Sequence, residues 1–223
     1  MPRIQQEPGV KGSQKWIQKL VNEKSDLLTS LIRTQLDLPE TDTITWLSPL
    51  AEDGYAEYQD LGFLDLLNIT LPKISLSDFW PLKGPVWDGL GRSETGEVFL
   101  IEAKSHISEV LSPGTGAGVK SLRKIKKSLD DTKTFLHSNS EHDWTSTFYQ
   151  YTNRLAHLYL LRVLNEVPAY LVFVYFVNDE DMNGPKSIDE WNGALSLLKS
   201  YLGIGQHRLK KYIADIFIDI DEI

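Results

Sequence analysis

Val86-Trp87-Asp88-Gly89-Leu90-Gly91-Arg92-Ser93 and Glu97-Val98-Phe99-Leu100-Ile101-Glu102-Ala103-Lys104, separated only by Glu94-Thr95-Gly96, decide the fold. Both stretches read as strands, and the Gly that closes the short loop between them supplies the left-handed position of a hairpin. Such a loop pairs Ser93 with Glu97, and counting back along the antiparallel ladder sets Asp88 opposite Glu102. Alternation puts Val98, Leu100, Glu102 and Lys104 on one face, and Phe99, Ile101 and Ala103 on the other. Both faces are apolar until the strand's end, so this strand is expected to be central and covered on both sides. Opposite residues share a face, so the carboxylates of Asp88 and Glu102 are expected to meet. Two such groups repel unless a cation lies between them, and oxygen ligands of this kind suit Mg²⁺ or Mn²⁺. A plainer reading pairs Glu102 with Lys104 at the rim of the sheet, which also spares the cost of an unpartnered charge there.

Asp88, thirteen intervening residues and then Glu102-Ala103-Lys104 resemble the catalytic pattern of the PD-(D/E)XK, or restriction-endonuclease-like, nuclease superfamily, over roughly residues 55–177. The resemblance implies a restriction-endonuclease-like three-layer α/β sandwich, with a central mixed sheet flanked by helices. It implies that Asp88 and Glu102 hold the divalent metal, with the Ala103 carbonyl as a further ligand. Lys104 would then orient the attacking water and steady charge on the phosphate. Trp87 stands where the motif's name has proline, a position at which superfamily members vary. Asp131-Thr132-Lys133 has the same carboxylate-x-Lys spacing, but it falls in a predicted helix with no upstream strand Asp. Members often add a carboxylate from a helix before the hairpin. Glu57, with Asp60 behind it, is the candidate, the alternative being the solvated side of an amphipathic helix.

Outward from the hairpin, apolar spacing predicts helices over residues 13–35 and 55–67, and a short strand over 44–47. Pro72, Pro81 and Pro85 argue against regular structure between residues 71 and 85. Helices are expected over 119–136, 146–165 and 188–202. A buried strand is expected over 170–177 and a last one over 212–220. Residues 1–12, rich in Gln, Gly and Pro, read as a loose tail on a single domain of residues 1–223. In the 146–165 helix, Gln150, Asn153, Arg154 and His157 recur as one polar stripe, against Phe148, Leu155, Leu158 and Tyr159. Gln150 and Arg154 are similar to the Gln and Arg that some superfamily nucleases place near the site. Amide and guanidinium groups suit a phosphate- or base-facing surface, and an inter-helix hydrogen-bond network would use them equally well.

The 223 residues carry a net charge of −8, which counts against a nucleic-acid partner. Locally the balance reverses. Lys120, Arg123, Lys124, Lys126, Lys127 and Lys133 lie close together, forming either a phosphate-binding patch or a solvated helix face. Lys120, Arg123 and Lys124 join Gln150, Asn153 and Arg154 as the expected substrate contacts. The absence of cysteine removes disulfides, thiolate nucleophiles and cysteine zinc sites. No Walker loop, dinucleotide fingerprint or Gly-x-Ser-x-Gly elbow is present. With no apolar run long enough to span a bilayer, the expected setting is cytoplasmic, without a membrane partner and with a homodimer left open. The expected function is Mg²⁺- or Mn²⁺-dependent phosphodiester hydrolysis on DNA or RNA. The alternative is a catalytically inactive nuclease-fold binding or assembly module, which exposed Trp46, Trp80, Trp144 and Trp191 would favour.

Overall fold

A computed structural model describes residues 3–41 and 43–223. In chain order the elements are β1 (Arg3–Ile4), α1 (Gly12–Glu23), α2 (Ser25–Leu36), β2 (Ile44–Ser48), β3 (Glu57–Tyr58), α3 (Leu61–Leu66), α4 (Leu76–Phe79), β4 (Gly89–Ser93), β5 (Val98–Lys104), α5 (Val119–Phe135), α6 (Tyr149–Tyr159), β6 (Ala169–Val177), α7 (Ile188–Leu202) and β7 (Ile213–Asp219). Five strands form one mixed sheet in the order β2-β4-β5-β6-β7. The first two pairings are antiparallel, and the β5–β6 and β6–β7 pairings are parallel.

The hairpin keeps the expected register. Gly89 pairs with Ile101, Ser93 N–H donates to Glu97 O at 2.9 Å, and Asp88 N–H donates to Ile101 O at 3.1 Å. Phe99, Ile101 and Ala103 pack with Trp16, Ile17, Leu20, Leu28 and Ile32 of α1 and α2. Val98 and Leu100 face the opposite cluster, which holds Leu155 and Leu158 of α6 and Trp191, Leu195 and Leu198 of α7. The protein is thus α/β, a mixed five-stranded sheet with helices on both faces, and β6 and the first four residues of β5 are apolar or aromatic because neither face meets water there. Gly91 fits this design. Trp46 lies across it from β2, and a Cβ there would come within 2.9 Å of the indole ring.

Several expectations are corrected. The helix over residues 13–35 is two helices broken at Lys24, whose φ of −136° and ψ of 33° are not helical. Residues 55–67 do not form one helix. Glu57 and Tyr58 are strand, paired with Ile4 and Arg3, and α3 starts only at Leu61. Residues 1–12 are not a loose tail over their described part. Beyond the β1 pairing, Gly9 N–H donates to Gln18 Oε1 at 2.7 Å. The proline-rich 71–85 stretch contains α4, capped by the Ser75 hydroxyl. Trp46, Trp80, Trp144 and Trp191 are all buried, so they offer no exposed docking residues. Among the described residues, no helix is long and apolar enough to cross a membrane.

Candidate functional site

The hairpin delivers Asp88, Glu102 and Lys104 to one cleft of about 400 Å³, which Gln150, Asn153 and Arg154 of α6 also line. Asp88 lies one residue before β4, where the ladder opens, and its Oδ2 accepts the Ala103 N–H at 2.8 Å. A residue's N–H and carbonyl leave a strand on the same edge, so the Ala103 carbonyl also points toward the Asp88 side.

Glu102 is fully enclosed and carries two cations. Lys104 Nζ donates to its Oε1, and Arg154 Nε donates to its Oε2 at 2.7 Å. The plainer sequence reading, a Glu102–Lys104 pair, is therefore present, but as part of a larger arrangement. Lys104 also donates to Gln150 Oε1 at 3.2 Å. Arg154 spends its remaining donors on Asn153 Oδ1 at 2.8 Å and the Val86 carbonyl at 2.7 Å, with its guanidinium 4.9 Å from the Trp87 ring centre. Every polar atom of this guanidinium is used, as burial of a charge demands.

The electrostatics separate the two carboxyls. Burial, followed by the nearby Glu102 and Glu57 charges, pushes Asp88 up to about 8, against the help of Lys104. Burial also opposes charge on Glu102, but Arg154 and Lys104 outweigh it and hold its pKa below the usual carboxylate range. Lys104 is disfavoured by burial and rescued by Glu102 and Asp88, with a net upward shift. Near neutral pH the cleft thus holds one ionised carboxylate with two cations, and beside it a carboxyl that keeps its proton.

Glu57 reaches this cluster from an unexpected direction. It lies in β3 rather than on a helix, with its side chain buried and its Oε2 accepting from Gln6 Nε2 at 2.8 Å. Burial raises its pKa, and the Glu102 charge adds to that, so the three carboxyls sense one another. Glu57 is nevertheless not among the residues that line the cleft. Among the described residues, no group of three or more His, Asp or Glu stands at metal-ligand spacing. Asp60 has a different task. Its carboxylate accepts the N–H groups of Lys83 at 3.0 Å and Gly84 at 2.8 Å, which pins the loop forming one wall of the cleft.

The α6 stripe divides. Gln150, Asn153 and Arg154 face the cleft, whereas His157 lies in an aromatic cage of Phe63, Trp80 and Trp87 with Nδ1 on its own helix's Asn153 carbonyl at 2.8 Å. Burial lowers His157 to about 3, so it is neutral and structural. Lys120, Arg123 and Lys124 of α5 do not line the cleft, and Lys126 and Lys127 are engaged by Asp143 at 3.1 Å and Asp131 at 3.2 Å. Sequence reasoning missed Ser112. Its hydroxyl accepts the Gln150 N–H at 2.9 Å and fixes the start of α6 over the site, a role that a serine in a Ser-Pro-Gly loop does not announce.

Comparison with protein-family models, with curated proteins and with solved structures yields no match.

Proposed function

We propose that this chain is a Mg²⁺- or Mn²⁺-dependent phosphodiesterase of the restriction-endonuclease-like kind, acting on DNA or, second, RNA. The observation that carries the reading is the meeting of Asp88, the Ala103 backbone, Glu102 and Lys104 in one cleft, in the register the motif requires. The donor set suits a hard divalent cation. It offers two carboxyls, one of them short of a counter-charge, and a backbone carbonyl on the same strand edge. Such an ion, when bound, lowers the pKa of a coordinated water and neutralises charge developing on phosphorus. Asp88 would give up its proton to hold the ion. Lys104, fixed between Glu102 and Gln150, would orient the water and balance charge on a phosphate oxygen. Gln150 and Asn153 would hydrogen-bond the phosphate, and Arg154 would keep Glu102 ionised and in place.

One observation favours a non-catalytic nuclease-fold module instead. Both Glu102 oxygens are already taken by cations, so metal binding requires at least one of those contacts to be exchanged. Calorimetric titration with Mg²⁺ and Mn²⁺, followed by cleavage assays on single- and double-stranded DNA and RNA, separates the two readings. Binding and cleavage that Asp88→Ala and Glu102→Ala both abolish support the enzyme. A wild-type protein that binds neither ion leaves the module.

A further inference from the structure

A second cleft, of about 650 Å³, lies at the far edge of the sheet and is walled by the end of α2 as well as by residues of α6 and α7. Asp215 of β7 is in register with Phe173 of β6, which is in register with Glu102. Strand spacing sets the two acids about 10 Å apart across the sheet. Tyr151 of α6, stacked on Phe173 with ring centres 4.6 Å apart, contributes to the wall of this second cleft, while its neighbour Gln150 faces the first.

The charges around it are unbalanced. Lys199 is neutralised by Asp215 at 2.6 Å. Among the described residues, Arg208, Lys210 and Lys211 make no ion pair, and the one other carboxylate in the wall is Asp37. Two of these cations rest against rings, Arg208 at 5.5 Å from Phe135 and Lys211 at 4.9 Å from Tyr212. For Arg208 that contact steadies the cation without consuming its N–H donors, whereas Lys211 also bonds Tyr212 and Lys210 Nζ donates to Gln206 Oε1 at 3.4 Å. Three unpaired cations at one cleft of a chain with net charge −8 are not a general surface property.

The wall also holds unmet polar demand. Asp215 Oδ1 and His207 Nδ1 are buried and without a partner. Burial lowers His207 to about 4, so near pH 7 it adds no charge and presents a neutral ring. Buried polar atoms left unsatisfied are uncommon in native structures and ask for an explanation. The cleft volume lies within the range of about 300–1,000 Å³ common for small-molecule sites.

We propose that this cleft binds a phosphorylated small molecule of nucleotide size, with its phosphate on Arg208, Lys210 and Lys211 and the rest of the molecule against Tyr151 and Ile213. The phosphate chemistry follows from three flexible or forked N–H donors around one opening. The site stands independently of the nuclease reading, because none of the residues named here as contacting the ligand lines the Asp88 cleft.

The test is calorimetry on the full chain with guanosine 5′-monophosphate, beside inorganic phosphate and a 5′-phosphorylated single-stranded oligonucleotide. One molecule of the mononucleotide is expected to bind per chain. Lys210→Gln/Lys211→Gln, at partly or fully exposed positions that folding does not need, should weaken binding about tenfold or more. Asp88→Asn should leave it unchanged. Absence of saturable mononucleotide binding to the wild type overturns the proposal. So does binding by the oligonucleotide alone or by inorganic phosphate alone. Binding abolished by Asp88→Asn yet untouched by the double lysine variant would assign the ligand to the other cleft and also overturn it.

Discussion

Arg154 and Glu102, 52 residues apart in the chain, form a buried ion pair through Nε and Oε2 at 2.7 Å. A pair of this kind is dangerous to break on one side only, because the survivor stays buried and charged. Arg154→Met should lower unfolding free energy by about 3–5 kcal/mol. The Glu102→Gln/Arg154→Met double variant should lose less than the two single losses together. Urea unfolding of the four proteins checks both statements, and strict additivity would refute the coupling.

On the proposed reading, Asp88 ties metal binding to pH. Its carboxyl titrates near 8 instead of the ordinary 3.8, so binding a cation near neutrality must displace a proton. Apparent Mg²⁺ affinity should therefore rise by up to about tenfold per pH unit between pH 6 and pH 8, then level off. In the metal-free protein the sign for stability is opposite. A carboxyl with a raised folded pKa stabilises fully below its unfolded pKa, and that contribution fades as pH rises through about 8. Asp88→Asn should abolish the binding together with its proton release and flatten the stability dependence, as read by calorimetry in two buffers of different ionisation enthalpy and by melting from pH 5 to pH 9.

On the proposed reading, Lys104 acts on the reacting phosphate and not on the ion. Lys104→Gln should cut phosphodiester cleavage by about 10²–10³-fold, the range for loss of one oriented electrostatic group. Mg²⁺ affinity should change only slightly, since Arg154 still holds Glu102. Equal losses of affinity and rate would move Lys104 out of the catalytic role.

His157 predicts an acid limb. Its pKa is depressed from 6.5 to about 3 by burial among aromatic rings, so the unfolded chain binds the extra proton first. Stability from this residue is present above 6.5 and falls by up to about 1.4 kcal/mol per pH unit as pH drops toward 3. His157→Phe should melt less steeply with acidity than the wild type between pH 6 and pH 4. Parallel melting curves for the two proteins would contradict this.

Gln6 supports a buried carboxyl from the amino-terminal segment. Gln6→Leu removes the hydrogen bond to Glu57 and should cost about 1–3 kcal/mol. The deficit should be smaller at pH 4 than at pH 8, because Glu57 is then protonated and its burial costs less. A pH-independent deficit would point to packing alone.

The sheet's centre was legible because its information is local. Glu94-Thr95-Gly96 sets the hairpin, and the alternation of Val98 to Lys104 sets the faces, so Asp88 could be counted into place opposite Glu102. Glu57 was misread because its strand pairs with residues more than fifty positions earlier, Arg3 and Ile4, whose composition resembles a tail, and bridges through Tyr58 to Trp87 beyond the intervening loop. The nearby spacing of Tyr58, Leu61 and Leu64 suits a helix, and tertiary pairing overrode it. His157 failed for another reason. Periodicity shows that a helix has a polar stripe, but not that residues 151–158 are all buried, so that one end of the stripe is walled by Trp80 and Trp87. Asp60 and Ser112 work through backbone N–H groups brought near by the fold, which no residue pattern encodes.

The 52-position separation of Glu102 and Arg154 also orders events during synthesis. Glu102 leaves the ribosome with Lys104 as its only nearby cation, and the strand that will cover its far side, β6, comes later still. The hairpin can form early, but it cannot be sheathed in a dry interior until α6 arrives with the second charge. A nascent chain stalled before α6 would hold a hairpin with its acid end in water. Both oxygens of Glu102 are therefore bonded only when the chain has grown past Arg154.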